Sequence, residues 1–231
     1  MPPPSYNVIE PTETFDPYDG LTETQHEQLR SYEQLLRSFN SKINLISPDT
    51  VNAITERHIL HALLMRWRGF PDGARLVDWG SGGGLPAIPL AIVCPQIEVI
   101  AVDSVGKKMR AVRTMARRLG LQNLFAWAGR AENWPDTAHY SVSRATAPLV
   151  DLWSWHTRMA TTNGITPAAT DWPLGLIALK GGDLSDEIGT LQTAYPNTCV
   201  QQIPLRPLLD DAYPHAAHFV DKCMIVVTND A

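Results

Sequence analysis

The sequence is poor in cysteine, has no long apolar run and carries no surplus of positive charge. Its three cysteines, Cys94, Cys199 and Cys223, are odd in number, far apart and never arranged as C-x-x-C. That excludes a disulfide framework and a redox pair, and it fits reduced, buried thiols in a cytoplasmic setting. No apolar stretch approaches the roughly 20 residues that cross a bilayer, and the N-terminus is proline-rich and acidic rather than basic and then apolar. Neither a membrane span nor a secretory signal is expected. A net charge of −5 argues against a generic nucleic-acid coat but leaves room for a local basic patch. His58 and His61, and again His215 and His218, stand one helical turn apart without a third ligand or a His-Glu-x-x-His pattern. No metal is expected, and packed or capping roles are assigned to these histidines.

What the sequence does have is concentrated between Val77 and Pro86. An apolar run from Ala74 ends in Asp78, and glycines then stand at 80, 82, 83 and 84. The segment reads as a buried strand entering a tight loop and a helix N-terminus, where glycine lets backbone amides approach a ligand. The dinucleotide fingerprint G-x-G-x-x-G fails when counted from Gly80, because Leu85 stands where glycine or alanine is required. The spacing acid-x-Gly-x-Gly-x-Gly, with Asp78, Gly80, Gly82 and Gly84, is that of S-adenosylmethionine-dependent methyltransferases. A second acid, Asp103, closes the next apolar run, Ile97 to Val102, where a doubly wound fold places the carboxylate that takes ribose hydroxyls.

Along the chain, residues 1–20 form a proline-rich arm, disordered or loosely draped. Thr24-x-x-Glu27 reads as a capping box opening a helix with Leu29, Tyr32, Leu36 and Phe39 on one face. Ser47-Pro48 opens a second helix running to about Arg68. These two make an N-terminal helical extension, residues 21–72, ahead of a domain at 73–231. Strands are expected near 97–102, 123–127, 140–143, 174–179, 198–204 and 219–227, the last two antiparallel. Helices are expected at 105–119, 149–159 and 184–194. Such alternation implies a mostly parallel, seven-stranded, doubly wound α/β sheet of the Rossmann-like kind, with ligands at the carboxyl ends of the strands.

Several separate motifs fall in one order: Asn40-Ser41-Lys42-Ile43-Asn44-Leu45, Arg57-His58, Asp78 to Leu90, and Asp103-Ser104 with Lys107-Lys108. Then come Gly129-Arg130-Ala131-Glu132, Ser143-Arg144-Ala145-x-Ala147-Pro148-Leu149 and Leu179-Lys180-Gly181. Over roughly residues 25–205 this order resembles the RsmG family, also called GidB, of bacterial small-subunit rRNA guanine-N7 methyltransferases. The resemblance implies a class I methyltransferase fold with S-adenosylmethionine as donor and S-adenosylhomocysteine as product. It implies as target a guanine in the 530 loop of 16S rRNA, within the 30S subunit. By matching motif it places Gly80, Leu85, Ala131, Glu132 and Arg144 at ligand-binding positions, beside Asp78, Gly82, Gly84 and Asp103. Arg144 would stand at the reaction end and carry the catalytic role. The chain departs from the family's His-x-x-Asp-Ser, having His58-Ile59-Leu60-His61-Ala62, and from its basic C-terminus.

Guanine N7 carries a lone pair and no proton, so its methylation needs orientation rather than a general base. That agrees with the lack of a nucleophile-and-base constellation. The helix after Asp103 carries Lys107, Lys108, Arg110, Arg113, Arg117 and Arg118 and no acid. It is either a solvated face or a phosphate-contacting stripe, with Lys107, Arg110, Arg113 and Arg117, and Lys180 elsewhere, as RNA candidates. Arg144 has two readings, as a ligand for guanine, phosphate or cofactor and as the partner of a carboxylate such as Glu132. A small-molecule methyltransferase and a cofactor-binding regulator without catalysis remain alternatives, and a nicotinamide dehydrogenase ranks last. Nothing demands more than a monomer.

Overall fold

The computed structural model describes residues 6–144, 146–211, 213 and 215–230. The first five residues of the proline-rich arm, Ala145 of the Ser143 to Leu149 motif and the terminal Ala231 lie outside the described residues. The elements run β1 (Asn7–Val8), α1 (Glu23–Asn40), α2 (Leu60–Leu63), β2 (Arg75–Trp79), α3 (Ala87–Val93), β3 (Glu98–Asp103) and α4 (Gly106–Arg118). They continue with β4 (Leu124–Ala128), β5 (Tyr140–Arg144), α5 (Leu149–Met159), β6 (Gly175–Gly181), α6 (Ser185–Ala194), β7 (Thr198–Pro204) and β8 (Lys222–Asn229).

One sheet joins the strands in the order β1-β7-β8-β6-β5-β2-β3-β4. All pairings are parallel except those of β8, which runs antiparallel to β6 and β7. Seven strands belong to the expected doubly wound sheet. The eighth, β1, comes from the arm and lies beside β7, with Asn7 opposite Gln201. Residues 6–20 are further held by Phe15 N–H donating to the Leu208 carbonyl and by Arg66 donating to the Pro17 carbonyl. The chain leaves β2 toward β3 and β4 on one side, then returns to β5 on the other. The crevice at the carboxyl end of β2 is therefore the topological switch point.

Strand alternation divides the core. Leu76, Val99, Ala101, Tyr140 and Val142 face α1 to α4, while Val77, Trp79, Ile100, Val102 and Leu176 face α5 and α6. Asp78, Asp103 and Arg144 share the parity of the first set and so emerge on the face that the N-terminal extension covers. On the other face the Trp79 indole N–H donates to Ser141 Oγ at 2.8 Å, and Ser141 Oγ lies 3.1 Å from His156 Nδ1. Burial pushes His156 down to about 4, so its ring is neutral beside the Ser141 hydroxyl.

The extension differs locally from the sequence expectation. Helix α1 is capped by Thr22, not Thr24: Thr22 Oγ1 accepts the Gln25 N–H while the Gln25 side chain accepts the Thr22 N–H. The continuous helix expected over 48–68 is broken into a 3₁₀ turn at Pro48–Ala53, a wide π turn at Thr55–Ile59, α2, and another 3₁₀ turn at Leu64–Trp67. Ile54, Ile59, Leu60, Leu63, Leu64 and Met65 are all buried, so the segment is apolar on several sides and follows its packing rather than one helical stripe. The strand expected at 219 begins at Lys222, because Ala216–Phe219 forms a tight turn that buries Phe219.

Helix α1 seats on the glycine segment. Tyr32 is wholly buried, and its hydroxyl donates toward the Gly83 and Gly84 carbonyls at 3.0 and 3.3 Å. Leu36 and Leu45 cover Gly83 so closely that a Cβ there would lie 2.7 Å from Leu36. Asn40 Oδ1 accepts the Leu45 and Ile46 N–H groups, which sets the turn that delivers Leu45. Tyr32→Phe leaves a buried carbonyl short of its donor and should cost about 1–3 kcal/mol. Urea or thermal unfolding checks this, with an expected loss of roughly 2–4 °C per kcal/mol.

Candidate active site at the carboxyl end of β2

The loop after β2 is held by two buried carboxylates. Asp78 is fully buried, and its Oδ2 accepts the Ala87 N–H at 3.2 Å. Asp103, at the end of β3, accepts the Gly82 N–H on Oδ2 at 3.1 Å and the Val105 N–H on Oδ1 at 2.8 Å. The Ser81 N–H donates to the Val102 carbonyl, and Gly84 and Leu85 N–H groups return to the Ser81 carbonyl. Gly80 and Gly82 take φ of +70° and +56°, which side chains rarely adopt. A Cβ on Gly80 would also collide with Thr146, whose hydroxyl donates to the Arg144 carbonyl at 3.0 Å. At Gly82 a Cβ would meet nothing closer than the Leu45 carbonyl at 3.5 Å, so its surroundings are open.

Arg144 enters from β5 on the same face. It does not pair with Glu132. Its Nη1 lies 2.6 Å from His58 Nδ1, across the join between the sheet and the N-terminal extension. Asp78 and Tyr32 favour its charge electrostatically, yet burial still lowers its basicity. Arg144 Nε, His61 Nε2, Asp78 Oδ1 and Ser81 Oγ are buried side-chain atoms that make no hydrogen bond among the described residues. Unpartnered polar atoms of this kind are uncommon in native interiors and mark places where a ligand or water completes the bonding. Three of the four lie on or beside the glycine segment and the end of β5.

The remaining sequence candidates separate into two groups. Ala131 and Glu132 form a short turn just after β4, at the same end of the sheet as Asp103; the Gly129 N–H donates to the Asp103 carbonyl at 3.1 Å. Glu132 is partly exposed, with Arg130 at 3.6 Å, and its carbonyl accepts from Arg158. Leu85 is buried within the loop. On α4, Lys107, Arg110 and Arg117 are exposed, while Val112, Met115, Ala116 and Leu119 are buried as the pattern requires. Arg113 is engaged instead, donating through Nε and Nη2 to the Ala126 carbonyl on the edge strand β4.

Lys180 does not stand with the free basic groups. It shares the parity of Leu176 and Ala178 on β6, which carries it under α6. There its ammonium group donates to Glu187 at 2.5 Å and to the Ala147 carbonyl at 2.7 Å, with its side chain 10% exposed. Glu187 in turn accepts the first N–H of α5, that of Leu149. Lys180 thus ties α5, α6 and β6 together. Sequence reasoning missed Tyr32 and Thr50 as parts of this region and gave His58, though it lies in one of the family motifs, a packed or capping role. The only signal was the adjacency of their motifs in sequence order.

Burial pushes Asp78 up to about 7, against the nearby Ser81 hydroxyl, the Ala87 N–H and Arg144, which favour the ionised form. A carboxyl whose pKa rises on folding from 3.8 to about 7 contributes stability fully present below pH 3.8 and lost as pH climbs through about 7. Asp78→Asn keeps the shape and removes the buried charge. The variant without added ligands should therefore melt higher than wild type at pH 8, with the gap closing or reversing at pH 5. A scan of melting temperature against pH reads both signs.

The family model described as rRNA small subunit methyltransferase G matches residues 25–204. A protein of that name from Salinibacter ruber is 55% identical over 195 residues, 84% of this chain and 90% of that protein. One from Bacteroides fragilis is 39% identical over 171 residues, 74% of this chain and 81% of that protein. Among solved structures, a ribosomal protein L11 methylase from Lactobacillus delbrueckii subsp. bulgaricus superposes with a TM-score of 0.51 at 14% identity, covering 74% of this chain and 77% of that one. Fibrillarin from Aeropyrum pernix, in complex with natively bound S-adenosyl-L-methionine, gives 0.50 at 17%, covering 74% of each chain. These two likenesses bear on the fold alone, which is that of the class I methyltransferases. Family model and curated relatives agree over most of the length: the chain belongs to the rRNA small subunit methyltransferase G family.

Proposed function

We propose that this protein transfers a methyl group from S-adenosylmethionine to N7 of a guanine in the 530 loop of 16S rRNA, acting in the cytoplasm as a monomer on the 30S particle. The observation that carries the reading is a half-buried guanidinium, Arg144, held beside the glycine loop with no carboxylate in ion-pair contact among the described residues. Similarity to proteins named rRNA small subunit methyltransferase G directs it to rRNA.

The donor set suits the cofactor. Gly80, Gly82, Gly84 and Leu85 supply backbone at a loop whose centre is open, and each oxygen of Asp103 retains acceptor capacity beyond its one N–H bond. Glu132 and the backbone of Ala131 stand at the same end of the sheet for the adenosine part. When bound, S-adenosylmethionine supplies a sulfonium-activated methyl group. The protein's share is positional: to hold the guanine in line and exclude water, which orientation alone can favour by about 7–11 kcal/mol. Guanine N7 has no proton to lose. The two histidines near Arg144 are accordingly poor bases in place: burial and Arg144 push His58 down to about 3, and burial lowers His61 well below its usual range. Arg144 keeps N–H donors beyond the one given to His58, enough to take guanine O6 or an anionic group of either ligand. Lys107, Arg110 and Arg117 provide the phosphate-facing charge.

The test is transfer of labelled methyl from S-adenosylmethionine to 30S subunits from a strain lacking the activity, with the modified base located by cleavage at N7-methylguanine. Label at one guanine is expected, reduced about 10²-fold by Arg144→Ala. Gly82→Asp should abolish it, since it forces a side chain into a left-handed φ next to the Asp103 carboxylate. Cofactor binding without transfer to any rRNA would overturn the reading and favour a small-molecule substrate or a regulator. In a separate titration, the triple change Lys107→Ala, Arg110→Ala, Arg117→Ala should weaken 30S binding and reduce the slope of log affinity against log salt by about 2. An unchanged slope would return α4 to the role of a solvated face.

A further inference from the structure

Arg144 is a half-buried cation with a single side-chain anchor among the described residues. Its Nη1 lies 2.6 Å from His58 Nδ1, and its Nε has no partner among the described residues. A guanidinium donates and cannot accept, so the direction of this bond is fixed and His58 Nδ1 carries no proton. The proton of the neutral ring is then on Nε2, which lies 2.8 Å from Thr50 Oγ1 and donates to it. Thr50 Oγ1 in turn donates to the Ser47 carbonyl at 2.9 Å, leaving its lone pair for His58. Each proton in this chain points one way, from Arg144 through His58 and Thr50 to a backbone carbonyl.

We propose that His58 is a positioning residue for Arg144, and that Thr50 sets the His58 tautomer which makes it an acceptor. The proposal rests on the reading of Arg144 as the group that meets ligand at the reaction end. Burial alone does not account for the arrangement. His61, one turn further on and equally buried, has no hydrogen-bond partner for its Nε2 among the described residues and packs edge-on against Phe219. The wide π turn at Thr55–Ile59 carries His58 near its end, and the ring bridges Thr50 on its own segment and Arg144 on β5. Residues of the N-terminal extension thus complete a site whose other members come from the sheet. The second histidine supplies no carboxylate, so among the described residues the guanidinium is oriented by one neutral acceptor.

Two arms test this. In the first, wild type, His58→Asn, His58→Phe and Thr50→Val are compared in methyl transfer to 30S subunits, with active sites counted by calorimetric titration of cofactor. His58→Asn keeps an acceptor near the place of Nδ1, whereas His58→Phe keeps the ring and loses the acceptor. Per active site, kcat should fall about 10²-fold in His58→Phe, as expected when a reacting group is misplaced by about 1 Å. It should stay within about fivefold of wild type in His58→Asn, with KM for 30S little changed in both. Equal losses in the two variants would overturn the proposal, because packing alone would then explain them. The second arm needs no substrate. Nitrogen-15 spectra of histidine-labelled protein at pH 7.5 should show His58 protonated on Nε2 only, shifting to a tautomer mixture in Thr50→Val and in Arg144→Met. Protonation on Nδ1 in wild type would refute the proposal. If wild type methylates no rRNA, the substrate assignment fails while the spectra still decide the positioning role.

Discussion

The chain must turn at the end of β2 from a buried strand into a buried helix while leaving amides and a concave surface for a ligand. Two carboxylates make that turn possible. Asp78 accepts the first N–H of α3, and Asp103 accepts the Gly82 N–H from the neighbouring strand. Neither oxygen pair is free to relax, because both carboxyls are almost fully buried. Everything else at the site is placed relative to this turn: Tyr32 and Leu36 close over Gly83, Thr146 fills the space a side chain on Gly80 would need, and Arg144 lies in the electrostatic reach of Asp78. The cost is visible in Asp78 itself, which burial makes reluctant to ionise.

A doubly wound sheet supplies a crevice but little that distinguishes one member of the architecture from another. The distinction here comes from the segment ahead of the sheet. The N-terminal extension covers the same face as Asp78, Asp103 and Arg144, and it contributes His58 and Thr50 as hydrogen-bonding groups rather than a passive cover. Its irregular backbone, alternating 3₁₀, π and α turns, follows from that double duty: apolar residues must be buried on several sides while one imidazole reaches between elements.

The basic residues illustrate how context sorts like from like. Lys107, Arg110 and Arg117 are exposed to solvent, whereas Arg113 caps a carbonyl on the open edge of β4. Blunting an exposed edge in this way discourages pairing with another chain. Lys180 is consumed by Glu187 and by the Ala147 carbonyl, in a buried junction of α5, α6 and β6. None of these three fates is written in the residue type.

The local rules were legible from composition and order alone. Alternating apolar runs, the acid and glycines from Asp78 to Gly84, and Gly120 after α4 mark strands, loop and helix end, because backbone conformation and apolar spacing are short-range constraints. Helix α5, at Leu149–Met159, and strand β7, at Thr198–Pro204, begin and end where the pattern says. The motif order likewise marks Asp103 and Arg144 as candidate site residues. The partners of Arg144 were not legible. Glu132 was the natural carboxylate for it, yet strand parity and the fold of the extension bring His58 there instead. The same parity sent Lys180 beneath α6, and the breaking of the 48–68 segment put Thr50 within reach of an imidazole eight residues away. Such pairings depend on which side of a sheet a side chain leaves and on what lies across from it. Those are properties of the packed molecule, set by long-range burial, and no local pattern in the sequence encodes them.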